Sequence, residues 1–132
     1  MTRTFALAAL VALACSPSTR LAARGTHPPH VQEFVPVPYP PPPAHVEQIA
    51  YRYENERCVW VDGHHRFEAK RWTWKDGHWV YPPEGCYYAP SLIAWSKSKD
   101  PRLYYTPPRW YRDDASSLPE DRATCPEPRA CR

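Results

Sequence analysis

The chain has 132 residues, 18 of them proline and only 4 glycine, with 5 cysteines and a formal net charge of +3. That length holds one domain at most, the proline content works against long helices, and so slight a charge gives no footprint for a nucleic-acid partner. Fifteen of the 18 Trp, Tyr and Phe residues fall within residues 51–111, the only stretch able to build a core. A core of about sixty residues is marginal by buried area alone, so a disulfide is the expected supplement.

Residues 1–14 read as an export signal. Arg3 supplies the positive start, residues 5–14 are all apolar, and ten apolar residues are too few for a permanent bilayer span. Ala12, Leu13 and Ala14 precede Cys15. The small residues suit ordinary signal cleavage, and Val11-Ala12-Leu13-Ala14-Cys15 also resembles a bacterial lipobox, in which the cysteine is lipidated and becomes the first residue. Both readings cut the same bond. Parity favours lipidation at Cys15, because it leaves an even set: Cys58, Cys86, Cys125 and Cys131. The expected membrane partner is then a lipid bilayer, reached through that anchor.

Residues 15–48 form the expected tether. They are polar and proline-rich, culminating in residues 36–43, a composition that favours polyproline II and buries little. Fully extended, such a spacer reaches on the order of 100 Å. Residues 48–54 fit either a strand (Ile49, Tyr51, Tyr53) or a helical spacing (Val46, Ile49, Ala50, Tyr53), and the two tyrosines tilt the reading toward a strand.

Two copies of one unit follow, fourteen residues apart: Trp60-Val61-Asp62-Gly63-His64 and Trp74-Lys75-Asp76-Gly77-His78. Asp-Gly between short aromatic-rich runs is the signature of a two-residue hairpin turn. Turns at Asp62-Gly63 and Asp76-Gly77 pair Trp60 with His65 and Trp74 with Trp79. They gather Cys58, Trp60, His65, Phe67, Trp72, Trp74, Trp79 and Tyr81 on one face of the sheet. The opposite face, from Val59 to Val80, is mostly polar. Pro82-Pro83-Glu84-Gly85 turns the chain into a fifth strand at Cys86. If the sheet curls, a Cys58–Cys86 disulfide clasps its first and fifth strands.

Residues 91–95 fit a short strand, and Tyr104-Tyr105-Thr106-Pro107 faintly repeats Tyr87-Tyr88-Ala89-Pro90. From residue 113 the composition turns acidic, Ser- and Pro-rich, which predicts a disordered tail where Cys125 and Cys131 close a small loop. The expected organisation is therefore a leader (1–14), a lipid-anchored linker (15–48), an all-β module (49–112) and a tail (113–132). The module is a small antiparallel meander of four to five short strands.

Trp60-x-x-Gly63 and Trp74-x-x-Gly77-x-Trp79, with aromatics before and Pro82-Pro83 after, resemble the bacterial WxxGxW (YXWGXW) repeat proteins. The resemblance covers roughly residues 57–90. The second unit matches fully, and the first has His65 where the second Trp would stand. It implies an exported, often lipoprotein-like envelope protein and a hairpin array, but no reaction.

No catalytic constellation stands out, and no cofactor is implied. Adjacent His64 and His65 point to opposite faces of a strand, so they cannot share a metal, and no Cys-x-x-Cys occurs. The aromatic face (Trp60, His65, Trp72, Trp74, Trp79, Tyr81) is either core or a stacking platform for peptidoglycan or an envelope polysaccharide. Mutual burial in an oligomer is a third arrangement.

Overall fold

The computed structural model describes residues 20–49, 57–97 and 99–131. The expected leader, Cys15 and most of the ambiguous stretch before residue 57 lie outside them. The described residues are mostly β, with one four-residue helix. In chain order they form β1 (Val35–Val37), β2 (Val59–Val61), β3 (His64–Glu68), β4 (Arg71–Lys75), β5 (His78–Tyr81), β6 (Cys86–Ala89), β7 (Leu92–Trp95), β8 (Leu103–Thr106) and β9 (Arg109–Arg112). A 3₁₀ turn (Ala115–Ser117), α1 (Glu120–Ala123) and β10 (Arg129–Ala130) follow.

Strand pairing departs from the expected meander. β2 pairs with β5 and β3 with β4, all antiparallel. Val61 lies opposite His78 and His64 opposite Lys75, so the ladder resumes in unchanged register across the gap between them. Residues 59–81 are thus one long hairpin, and its reversal is at Ala69-Lys70. Those two residues carry the positive φ of the turn, 49° and 62°, the geometry that matches the twist of paired strands.

Asp62-Gly63 and Asp76-Gly77 are therefore not hairpin turns. Neither Gly63 nor Gly77 has the positive φ that a type I′ turn requires. The two dipeptides face each other at a kink where the long hairpin passes from one sheet to the next. Trp60 pairs with Trp79 and His65 with Trp74, not the reverse.

Residues 86–112 repeat this plan. β6 pairs with β9 and β7 with β8, and the register is kept from Ala89↔Arg109 to Leu92↔Thr106. The break falls at Pro90-Ser91 opposite Pro107-Pro108, where proline supplies no ladder donor. The faint Tyr-Tyr-x-Pro repeat thus marks the two opposed kinks of a second hairpin.

The hairpins pack on each other. Near their open ends Val61, Val80, Tyr88 and Trp110 form one cluster, joined by Val59 and Ala22. Val80 is 1 % exposed, and full burial of such a side chain contributes about 1.5–3 kcal/mol. Near the tips, Phe67 and Trp72 pack against Val37, Leu103 and Tyr105. Part of the face expected to be wet (Val59, Val61, Val80) is therefore core.

Both expected flanks differ from a free tether and a disordered tail. Ala22 and Trp60 are joined by backbone hydrogen bonds, as are Gly25 and Tyr88, and β1 adds an edge strand to β8. Val31 and Val37 are buried. In the tail, Ala115 and Ala123 are 1 % and 0 % exposed and cover Ala89 and Tyr111. Small side chains let these short turns lie close to the sheet, which composition alone does not register. The disulfides are Cys58–Cys131 and Cys86–Cys125, not Cys58–Cys86 or Cys125–Cys131. β10 pairs with β5, whose other edge carries β2, and Cys131 is bridged to Cys58 just before β2.

Candidate functional site

The two kinks of the first hairpin create a pair of backbone donors without ladder partners. Both are taken by one carboxylate from the proline-rich segment. Gly77 N–H donates to Glu47 Oε1 at 2.7 Å and Gly63 N–H to Glu47 Oε2 at 2.9 Å. Charge-assisted bonds of this kind are roughly twice as strong as neutral ones.

The repeat units surround this contact with a local two-fold relation. A β-carbon built on Gly63 would stand 2.5 Å from Trp74 Cζ2, and one on Gly77 would stand 2.4 Å from Trp60 Cζ2. Each unit's glycine is thus the seat of the other unit's indole. His64 and His78 likewise turn their Nδ1 toward the Asp62 and Asp76 carbonyls, at 3.4 and 3.3 Å. The symmetry fails at the indole N–H groups. Trp60 Nε1 donates to Asp62 Oδ1 at 2.9 Å, while Trp74 Nε1 is buried without a hydrogen-bond partner. Asp62 also pairs with Arg24.

Part of the expected aromatic face is covered by residues 39–47. Tyr39 packs edge-on to Phe67 at 6.4 Å, and its carbonyl accepts from Trp72 Nε1 at 3.0 Å. His45 stacks on Trp74 at 4.4 Å, and Trp74 meets His65 edge-on at 4.8 Å. Trp60, 6 % exposed, packs edge-on to Trp79 at 5.6 Å. Tyr81 is half-buried and pairs with Arg129. Of these six residues Trp60 is buried and the other five are half-buried. Sequence reasoning missed Tyr39, His45 and Glu47 because they sit in a stretch whose composition signals only extended chain.

The kink also lines a cleft of about 210 Å³ between the hairpins, with His64, Arg66, Lys75 and His78 on one side and Tyr88 and Trp110 on the other. Glu68 lies 3.6 Å from Arg66 and 3.3 Å from Lys75, which offsets their charge. Burial holds the His64 imidazole below its usual range, and Arg66 and His78 push the same way. His65 is lowered too, by burial and by His45. Tyr88, buried in the cleft wall, has its hydroxyl pushed far above the usual phenol range by burial.

A buried histidine serves the fold. His27 Nε2–H donates to the Pro90 carbonyl at 2.7 Å, so Nδ1 accepts from the Tyr111 hydroxyl at 3.0 Å. The bond from Tyr111 needs the neutral ring, and burial lowers the His27 pKa although the Pro90 carbonyl pulls the other way.

Among the described residues no group of three or more His, Cys, Asp or Glu side chains is placed to hold a metal ion. No helix of the described residues is long and apolar enough to cross a membrane. Compared with protein-family models, curated proteins and solved structures, the chain matches none of them.

Proposed function

We propose that the chain is an exported bacterial cell-envelope protein, lipid-anchored at Cys15, whose β module has a structural or binding role without catalysis. Cysteine parity carries this reading. The two disulfides use four of the five cysteines, so parity leaves Cys15 over, and a diacylglyceryl thioether accounts for it. Disulfides themselves accord with an oxidising compartment outside the cytosol. The apolar run before Cys15 and the resemblance to WxxGxW repeat proteins point to the same address.

The intact mass of the mature protein, expressed in a bacterium with its own leader, tests the proposal. The expected species begins at Cys15, carries diacylglycerol and N-acyl groups, and lacks the hydrogens lost to two disulfides. A mature chain beginning at an unmodified Cys15, or one that keeps its leader, overturns lipidation. The first of those outcomes would leave plain secretion as the route.

Binding to peptidoglycan or an envelope polysaccharide remains part of the proposal in altered form. A sugar ring reaches Trp60 or Trp74 only where His45 and Glu47 now lie, so the ligand must compete with the chain's own segment.

A further inference from the structure

We infer that the Gly63 and Gly77 amides, flanked by the Trp60 and Trp74 indoles, form a carboxylate-binding site. Glu47 is its resident occupant, and an acidic envelope ligand, a uronate sugar or a peptide carboxylate, is the kind of molecule that replaces it. This deepens the binding role proposed above and rests on it for the ligand's origin, not for the chemistry of the site.

Four observations carry the inference. The two N–H groups come from adjacent strands and converge on the two oxygens of one carboxylate, at 2.9 and 2.7 Å. That is a bidentate receptor made of backbone, whose donors cannot rotate away. Its occupant comes from outside the hairpin, 16 residues from Gly63 and 30 from Gly77.

The occupant's own segment is lightly held. Residues 40–49 form no strand or helix, Val46 is fully exposed and Ile49 is 37 % exposed. Side chains attach this stretch, His45 on Trp74 and Glu47 on the amides. Release of Glu47 therefore breaks no ladder.

The receptor also offers more than Glu47 uses. Trp74 Nε1 is a buried donor with no partner, and it belongs to the indole seated on Gly63. A ligand with an oxygen beside its carboxylate, such as a ring or hydroxyl oxygen of a uronate, supplies the missing acceptor. Finally, indole surfaces on both sides of the amides suit an acid joined to a flat or apolar body. In the intact chain a free acid competes with a tethered one, whose effective concentration is in the millimolar range, so the resident side chain sets the threshold for binding.

The test uses the full chain with its disulfides formed. Its 4 glycines make the Gly63 and Gly77 amide resonances easy to resolve, with Gly25 and Gly85 as internal references. In Glu47→Ala, both amide signals should move, then return toward their wild-type positions as propionate is added. Propionamide and sodium chloride at equal concentration should not do this. Wild type should need at least about tenfold more propionate, given the tethered competitor.

Glucuronate and N-acetyl-alanine then distinguish the sources. Tighter binding of the first assigns an acidic polysaccharide, and tighter binding of the second assigns a peptide terminus. If neither binds more tightly than propionate, the indoles add nothing and a ring-stacking ligand is excluded. Should Glu47→Ala not fold, Glu47→Gln keeps the side chain's shape and removes its charge, and propionate should still displace it. A folded variant whose Gly63 and Gly77 amides ignore propionate, or respond equally to propionamide, overturns the site. These outcomes are independent of the acylation read by mass.

Discussion

Gly77 lies under the indole of Trp60 with no space for a side chain between them: an added β-carbon would stand 2.4 Å from Cζ2 and 2.7 Å from Glu47 Oε2. Trp60 cannot swing aside, being 6 % exposed and packed on Trp79. Gly77→Ala should therefore destabilise the fold by about 1–3 kcal/mol, as overpacking does, and should shift tryptophan fluorescence. Gly85→Ala provides the contrast. Gly85 has φ 67° and open space around it, so alanine there should cost about 1 kcal/mol through the backbone alone and leave the fluorescence unchanged. Urea unfolding of both variants is the measurement, and equal fluorescence in the two would show that the indole does not rest on Gly77.

The tip of the first hairpin is made by residues poorly suited to it. Ala69 and Lys70 hold φ values of 49° and 62°, which cost alanine and lysine roughly 1 kcal/mol each. Replacing Ala69-Lys70 with Asn-Gly should raise stability by about 1 kcal/mol, since that pair favours the turn. A loss of stability in urea would show that the reversal is not where the register places it.

The disulfides are nested, with separations of 73 and 39 residues. With the inner bridge closed, the outer loop shortens by the residues that bridge spans, 73 − 39 = 34. On a chain-entropy account each bridge then contributes about 4 kcal/mol. Cys58→Ser with Cys131→Ser should lower stability by that amount while the second bridge persists, as non-reducing peptide mapping would show. A change under 1 kcal/mol would mean that β10 is held on β5 without its clasp.

Acid should weaken the fold through His27. Its folded-state pKa lies below the usual imidazole value, so as pH falls the unfolded chain takes up a proton that the native ring resists. More protons bound to the unfolded state means that stability rises with pH, so it is complete above the ordinary range and is lost as pH falls below about 6.5. His64 and His65 are shifted the same way. Unfolding free energy should decline between pH 7 and pH 5, and His27→Gln should flatten part of that slope. An unchanged slope in a folded His27→Gln protein would assign the acid sensitivity to the other two rings.

How much of this was legible depended on whether the deciding contact was local. Alternation placed β3 to β6 near their observed positions, because each short aromatic run obeys the period of a strand. Asp-Gly, which predicts a turn, falls instead where the ladder breaks. A glycine serves a turn by its φ and serves a close approach by its missing side chain, and the dipeptide reads the same in both cases. What distinguished them was Trp60 and Trp74, each lying across the sheet from the other unit's glycine, together with Glu47 from a segment read as spacer. The proline run was judged by what it cannot bury. Its carbonyls remain good acceptors, as Tyr39 shows with Trp72, and rings can stack along it. In the tail, Cys125 and Cys131 announced bridges, but partners drawn from four cysteines depend on topology.

The clasp at the end of the fold bears on how the chain is made. Of the four bridged cysteines Cys58 and Cys86 emerge first and stand 28 residues apart (86 − 58), closer than either native pair at 73 and 39. Shorter loops close at lower entropic cost, so the earliest oxidation product is expected to be the mispaired Cys58–Cys86, formed before residues 125–131 arrive. Mapping disulfides in chains arrested before residue 125 would reveal it, and its absence would mean that the hairpins hold those thiols apart from the outset. A chain that reaches its native pairs through such a trap depends on thiol exchange for its yield, so the compartment it folds in must supply an isomerase as well as an oxidant.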